Sequence, residues 1–562
     1  MRLKLLALGV AIGNLLWGGV ASPHLPADGT PGDVNVIIVS EPGQHGVAVG
    51  LARAAMVANA GVLDLANIEQ VVTRMTPAAA RRLAAHPAVK YVTVDRVVQS
   101  AGADHGMEGA GVPAFTVGAR GATPTAFGQD IGIAVIDSGI RDVSDLNEDR
   151  GFGSRVVYRE NFVTTSTTWN DEYGHGTHVA GIMASSGQRS SGKGYLKSYY
   201  GAAPRAHLIN LRVLDANGAG QDSWVINAID RAIQMKYLFN IRVINLSLGR
   251  GIYESYTVDP LCLAVERAWK AGIVVVASAG NYGRTNVNGT MGYGTISSPG
   301  NHPAVITVGA LRHMYTDLRS DDVLATYSSM GPTRFDHVVK PDLVAPGNRV
   351  SSLIAPAATL TQSTLFSPVP FPTYCKTCGN GNSLDYAYMS GTSMAAPLVA
   401  GTAALMIANN PALTPDTVKA RLMKTATRNF PASYTSTDSS GVTRTVYHNL
   451  MSIGAGYLNI PGALASTDSL RPGVRAASPV AKQLLPKGVD LVHPGNQPGA
   501  NNALWGDNAL WGDNALWGDN ALWGDNALWG DNALWGDSTL LGYNALWGDN
   551  ALWGDWILVG DK

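Results

Sequence analysis

The feature that most constrains this chain is an alternation of short, almost wholly apolar runs with amphipathic stretches. From Ile131 onward, Ile133–Ile136, Leu208–Val213, Val243–Leu246, Ile273–Ala277 and Val305–Val308 contain few polar residues. A strand without a polar face must be covered on both sides, as strands in a parallel sheet are. Between these runs Val225, Ile229, Ala232 and Ile233 recur at helical spacing, and Leu263, Val265, Ala268 and Trp269 do so less regularly. The expected fold is therefore α/β, a three-layer sandwich with a mainly parallel central sheet, continuing to about Ala465.

A smaller unit precedes it between Asp33 and Gln99. Its strand-like Val34–Val39, helical Val47–Val57 and Thr76–His86, and strand-like Val89–Val98 make the pattern of a small α+β module. Ala101–Thr125, rich in Gly, Ala and Pro, reads as a junction. Met1–Ala21 opens with Arg2 and Lys4, runs through apolar Leu5–Trp17 and ends on small residues, the layout of a secretory signal cut after Ala21. The plainer reading is an uncleaved amphipathic or buried segment. The expected boundaries are 1–21 for the signal, 22–105 for the module and junction, 106–466 for the α/β domain, 467–501 for a Pro/Gly-rich linker and 502–562 for a tail.

That tail repeats Asn-Ala-Leu-Trp-Gly-Asp in eight perfect copies from Asn502, with one degenerate copy at Ser538–Tyr543. It holds nine Asp and one Lys, a net of -8, so the whole-chain charge of -1 leaves +7 for residues 1–501. The near-neutral balance of the whole chain gives no support to nucleic-acid binding as its main business, and 46% hydrophobic against 15% charged residues excludes general disorder. Stacked β-helix turns and a flexible array are both open for the tail, with surface or partner attachment through its Trp row as the functional reading.

Four motifs carry chemistry, each at the end of an expected strand or the start of an expected helix. Asp137 closes Ile133–Ile136, where a buried carboxylate needs hydrogen-bond donors. His175, between Gly174 and Gly176, opens a small-residue helix that also holds His178. The spacing of the two His does not match a metalloprotease pair, and His178 is expected to pack into the fold. Asn281 follows Val274–Gly280 in a glycine-bounded turn, and Ser393, in a motif running into the helical Leu398–Asn409, is expected at that helix's start. Singly, each has a bland role: a turn cap for Asp137, core packing for His175, a turn for Asn281 and an N-cap for Ser393. Together they supply every part of acyl transfer. Ser393 is a nucleophile that needs a base, His175 is that base if Asp137 sets its tautomer, and Asn281 with the Ser393 N–H can hold an oxyanion.

In this order the residues resemble the subtilisin-like serine proteases, a resemblance covering roughly Gly128–Ala465. Further signposts are Gly201–Ala206, Arg212–Asp215, Asn245–Gly249, Lys340–Gly347 and Gly454–Gly456. The resemblance implies that residues 22–105 hold an inhibitor-like pro-domain. It also implies a substrate lying as an extended strand between Gly218-Ala219-Gly220 and Ser247-Leu248-Gly249. Ser278-Ala279-Gly280 would form the second wall of the primary specificity pocket and Ser297 would lie near its floor. No acidic residue falls at these pocket positions, so an uncharged, fairly large side chain is expected before the cut.

Departures from the family pattern accompany the match. Gly187–Tyr200 has no Asp or Glu, which leaves a structural calcium open but its ligands unassignable. No cofactor is expected to be required, and no metal ligand is assigned. Cys375 and Cys378 are open to a local disulfide, two free thiols or half a metal site, and Cys262 is expected to be buried in its helix. The expected function is a secreted serine endopeptidase made as a zymogen, acting on proteins or peptides with its own pro-domain as intramolecular inhibitor. The alternative is a surface binding or adhesion protein displaying the Trp-rich array, with protease activity secondary or absent.

Overall fold

The apolar runs become the centres of two separate units that divide at Asp95. The computed structural model describes residues 19–101, 127–148, 153–285, 292–314, 319–363, 366–437, 441–471, 473–483 and 489–492. Most of the signal segment, the junction after Ala101 and the hexapeptide array lie outside the described residues.

The first unit is a five-stranded sheet in the order β1-β5-β2-β4-β3. Its elements are β1 (Val20–Ala21), β2 (Val34–Ser40), α1 (His45–Ala55), β3 (Val62–Leu65), β4 (Gln70–Met75), α2 (Pro77–Ala84) and β5 (Val89–Val94). The core packs Ala48, Val49 and Ala52 of α1 and Ala80 and Leu83 of α2 with Val36, Ile38, Val71 and Val92 of the sheet. Thr76 starts α2 by accepting the Ala79 N–H, with Pro77 preset for the first turn. β3 and β4 were not expected. They interleave Asp64, Thr73 and Arg74 among apolar residues, and antiparallel strands need no continuous apolar run.

The run Val89–Val98, expected as one strand, is two. β5 pairs with β2 in the first unit, whereas β6 (Val97–Ser100) lies in the second unit between β10 (Ala219–Gln221) and β12 (Leu248–Gly249). Nothing in the local pattern marks this break, because different pairing partners, not propensity, create it.

In the second unit an eight-stranded sheet has β7 (Gly132–Asp137), β9 (His207–Arg212), β11 (Ile241–Leu246), β13 (Val274–Ser278) and β14 (Ile306–Arg312) at its centre. β8 (Val156–Asn161) and β16 (Leu343–Pro346) join them in parallel, and β15 (Val323–Leu324) is antiparallel. Strand order reverses at β7, whose neighbours are β9 on one side and β11 on the other. Such a reversal opens a crevice at the carboxyl ends of the strands. Helices α3 (His175–Ala184) and α6 (Thr392–Asn409) pack together on one face, and α4 (Asp222–Gln234) and α5 (Pro260–Lys270) on the other. The result is the expected three-layer α/β arrangement.

Candidate active site

Asp137, Ser247 and Ser278 all end or follow parallel strands at that crevice, and α3 and α6 begin beside them. Asp137 is fully buried, and its Oδ1 accepts the Ser138 N–H at 2.7 Å and lies 2.7 Å from His175 Nδ1. A carboxylate can only accept, so Nδ1 carries the proton and Nε2 is left as an acceptor. His175 Nε2 is buried with no hydrogen-bond partner among the described residues.

The ring is presented by the start of α3. Gly174 adopts φ 105°, a left-handed backbone, and a Cβ on Gly176 would stand 2.1 Å from the Gly139 carbonyl oxygen. Gly176 therefore admits the loop after Asp137, which sets the spacing between acid and base, and Gly174 allows the left-handed turn into the helix. Asp171, missed by sequence reasoning, holds this turn. Its carboxylate accepts from Gly174 N, Thr177 N, Thr177 Oγ1 and Ser138 Oγ. An acidic residue just ahead of a helix start was the available signal. His178 lies one turn on with Nε2 3.1 Å from the carbonyls of Val350 and Ala387. Burial pushes its pKa down to about 3, so it packs as a neutral ring.

Ser393 lies at the start of α6, as expected, in a first turn that begins at Thr392. Its hydroxyl caps nothing. Instead it donates to the Ser247 carbonyl at 3.0 Å, while the Ser393 carbonyl accepts from Ser247 Oγ at 2.9 Å. Pro397 explains the second bond, since it has no N–H to give the carbonyl four residues back. Thus Asp137 and His175 are brought into hydrogen-bond contact, and Ser393 is held on Ser247 instead of on His175.

Asn281 Oδ1 accepts both the N–H and the hydroxyl of Thr392, at 2.9 and 3.0 Å. Those donors fix the amide flip and aim Nδ2 at the Ala101 carbonyl. The Ser393 N–H points to the same oxygen at 3.4 Å, and the Ala101 N–H donates to the Ser247 carbonyl at 3.1 Å. Ala101 follows β6, whose register pairs Gln99 with Ala219, Val98 with Gly220 and Ser100 with Leu248. The chain therefore places its own segment as a strand between the two edges named from sequence. The reason for small residues there is only partly close approach of that strand. A Cβ on Gly220 would strike the Val213 carbonyl at 2.2 Å, and one on Gly218 the Tyr173 ring at 2.4 Å.

Ser278, Ala279 and Gly280 follow β13, and Ser297 Oγ donates to the Ala279 carbonyl at 3.1 Å. Ser297 Oγ would meet a Cβ on either Gly249 or Gly280 at 2.9 Å, so it lies between the two walls. Cys375 and Cys378 form a disulfide, and Cys262 is buried with Sγ 3.1 Å from Asn301 Oδ1. The Gly187–Tyr200 loop closes over Asp145, which accepts from Arg189 N, Ser185 Oγ and Tyr386 Oη.

Residues 128–454 match the subtilase family. The chain is 39% identical over 312 residues to serine protease AprX of Bacillus subtilis (strain 168), covering 54% of this chain and 62% of AprX. It is 34% identical over 353 residues to subtilisin E of the same organism, covering 62% and 73%. Among solved structures it resembles fervidolysin from Fervidobacterium pennivorans, a keratinolytic enzyme related to subtilisin. That match has a TM-score of 0.54 at 21% identity over 80% of this chain and 63% of the other, a likeness of fold.

Proposed function

The chain belongs to the subtilase family of serine endopeptidases, and from that premise we propose a secreted enzyme made as a zymogen whose first substrate is its own Ala101–Gly102 bond. One observation carries this reading. The Ala101 carbonyl accepts from the two groups suited to stabilise an oxyanion, Asn281 Nδ2 and the Ser393 N–H, while its own N–H is held by Ser247.

Turnover begins as Ser393 Oγ swings by one rotamer from the Ser247 carbonyl toward His175 Nε2. His175 takes the hydroxyl proton, Oγ bonds the carbonyl carbon, and the oxyanion is stabilised by Asn281, the Ser393 N–H and the positive end of α6. Collapse expels the new amino terminus, protonated by His175, and water then releases the acyl group from Ser393. Asp137 keeps the imidazole in the required tautomer and stabilises its charged form. Ser247-Leu248-Gly249 and Gly218-Ala219-Gly220 read the substrate backbone, and Ser278-Ala279-Gly280 with Ser297 bound the pocket beside it; at this first bond the residue before the cut is Ala101, uncharged as expected but small where a fairly large side chain was expected. The first unit serves as the pro-domain that remains inhibitory until removed.

The test is intact-mass analysis of the secreted wild type beside Ser393→Ala. The wild type alone should begin at Gly102. Equal processing of both would assign maturation to another protease, and retention of the segment in both would remove the zymogen reading. The binding-protein alternative gains no support from the described residues, since the array at 502–562 lies outside them.

A further inference from the structure

β6 is a record of what the cleft accepts, because its pairing to β10 and β12 runs through backbone groups that any peptide has. Counting back from Ala101 at the bond to be cut, Ser100 is second, Val98 fourth and Arg96 sixth. Alternate side chains along a strand share a face. Arg96 and Val98 are accordingly buried, whereas Val97 and Gln99 are exposed.

Arg96 is only 8% exposed at its side chain and is ion-paired with Glu254, itself 3% exposed. The guanidinium also lies over the Tyr253 ring, 4.7 Å from its centroid, and the Arg96 carbonyl accepts the Asp222 N–H at 2.7 Å. The loop also has contacts of its own, independent of Arg96. On one side Arg250 binds Asp222 through Nε and Asp259 through an Nη, and on the other Ser255 Oγ and Tyr256 N donate to Asp336. Arg250 is committed to Asp222 and Asp259, whereas the cation of the cleft strand that pairs with Glu254 is Arg96, whose planar group also stacks on Tyr253.

We propose that Glu254 and Tyr253 form a subsite selecting a basic residue, arginine above lysine, at the sixth position before the cleaved bond. The proposal rests on the endopeptidase reading and extends it from maturation to the peptides the mature enzyme prefers. The peptide in the cleft would then be recognised at a site five residues away from the chemistry, where binding strength and not the pocket next to the bond decides the choice.

The experiment uses the protein secreted from the full-length gene and the peptide Arg-Val-Val-Gln-Ser-Ala-Gly-Ala-Asp, with the first residue varied to Lys, Ala and Glu. The expected kcat/KM falls about 10- to 100-fold from Arg to Ala, less from Arg to Lys and furthest from Arg to Glu. In Glu254→Gln the Arg-to-Ala ratio should collapse to about 1 to 3. Equal cleavage of the Arg and Ala peptides by the wild type would overturn the subsite and leave the endopeptidase reading standing. A ratio unchanged in Glu254→Gln would overturn Glu254 as the selecting group. Failure to cleave either peptide would overturn the endopeptidase reading and the subsite with it. The peptide series needs no folded variant, so the proposal remains exposed to refutation even if Glu254→Gln is not secreted.

Discussion

Asp137 and Asp342 are both withdrawn from solvent, yet their surroundings treat them in opposite ways. Around Asp137 the polar groups are incomplete: its Oδ2, His175 Nε2 and Ser278 Oγ have no hydrogen-bond partner among the described residues. Around Asp342 they are saturated. Its Oδ2 takes Lys340 Nζ at 2.7 Å and Thr307 N at 2.8 Å, and its Oδ1 takes Lys419 Nζ at 3.0 Å and Ser478 Oγ at 2.5 Å. Lys419 further reaches the carbonyls of Pro303 and Val305. Saturated buried networks hold elements together, whereas a buried acceptor left open is costly and marks a place where a ligand or a proton is expected.

The lysine cluster also divides its charge. Lys340 has two acceptors, Val305 O and Asp342, which a neutral amine can serve, and burial with the nearby Lys419 pushes its pKa down to about 7. Lys419 has more acceptors than two protons can serve, so it is the ammonium that balances the Asp342 carboxylate. Burial alone would raise Asp342, but the two lysines outweigh it and hold it below the usual carboxylate range.

The largest effect on this contrast should come from Ser393→Ala. Loss of the proposed nucleophile should lower turnover roughly a million-fold, a range taken from subtilisin itself, with an unchanged melting temperature. Undiminished hydrolysis by the purified variant would end the assignment. Lys419→Met attacks the saturated cluster instead and should cost about 3 kcal/mol by breaking a buried pair. Chemical denaturation in a Ser393→Ala background checks this without self-digestion, and an unchanged midpoint would show that the cluster is dispensable. Asn281→Ala should lower kcat by about 100- to 1,000-fold with little change in KM, again a range taken from subtilisin. A loss mainly in KM would make Asn281 a residue that positions substrate.

The smallest effect is a pH slope. Between about pH 7 and pH 10.5 the unfolded chain holds a proton on Lys340 that the folded chain lacks, so this group makes stability rise with pH across that window. Lys340→Met should flatten the rise, read as the difference in denaturation midpoint between pH 7.5 and pH 9.5 for the two proteins. Identical slopes would contradict a neutral Lys340. His178 acts with the same sign at lower pH, its contribution being lost as pH falls from 6.5 toward 3.

Much of the sheet was legible because its covered strands are almost wholly apolar runs, unbroken in Ile133–Ile136 and Val274–Ala277. The candidate residues of the site were legible because each lies inside a short motif with glycines beside it. Asp171, Thr392 and Glu254 were not. Each acts through a partner distant in sequence or through a loop whose course no local pattern announces: Asp171 on Ser138, Thr392 on Asn281 and Glu254 on Arg96.

By itself, then, the sequence determined which residue types could do chemistry, their order, and the layering of the second unit, because apolar periodicity and short motifs are local properties. Only the tertiary structure decided that Val89–Val98 parts into two strands and that Ala101 meets Asn281 and Ser393. It alone decided which of the buried carboxylates is saturated and which is left open. Those outcomes depend on pairing register and on contacts between distant segments, and such contacts are selected by the whole packed core, not by the residues on either side.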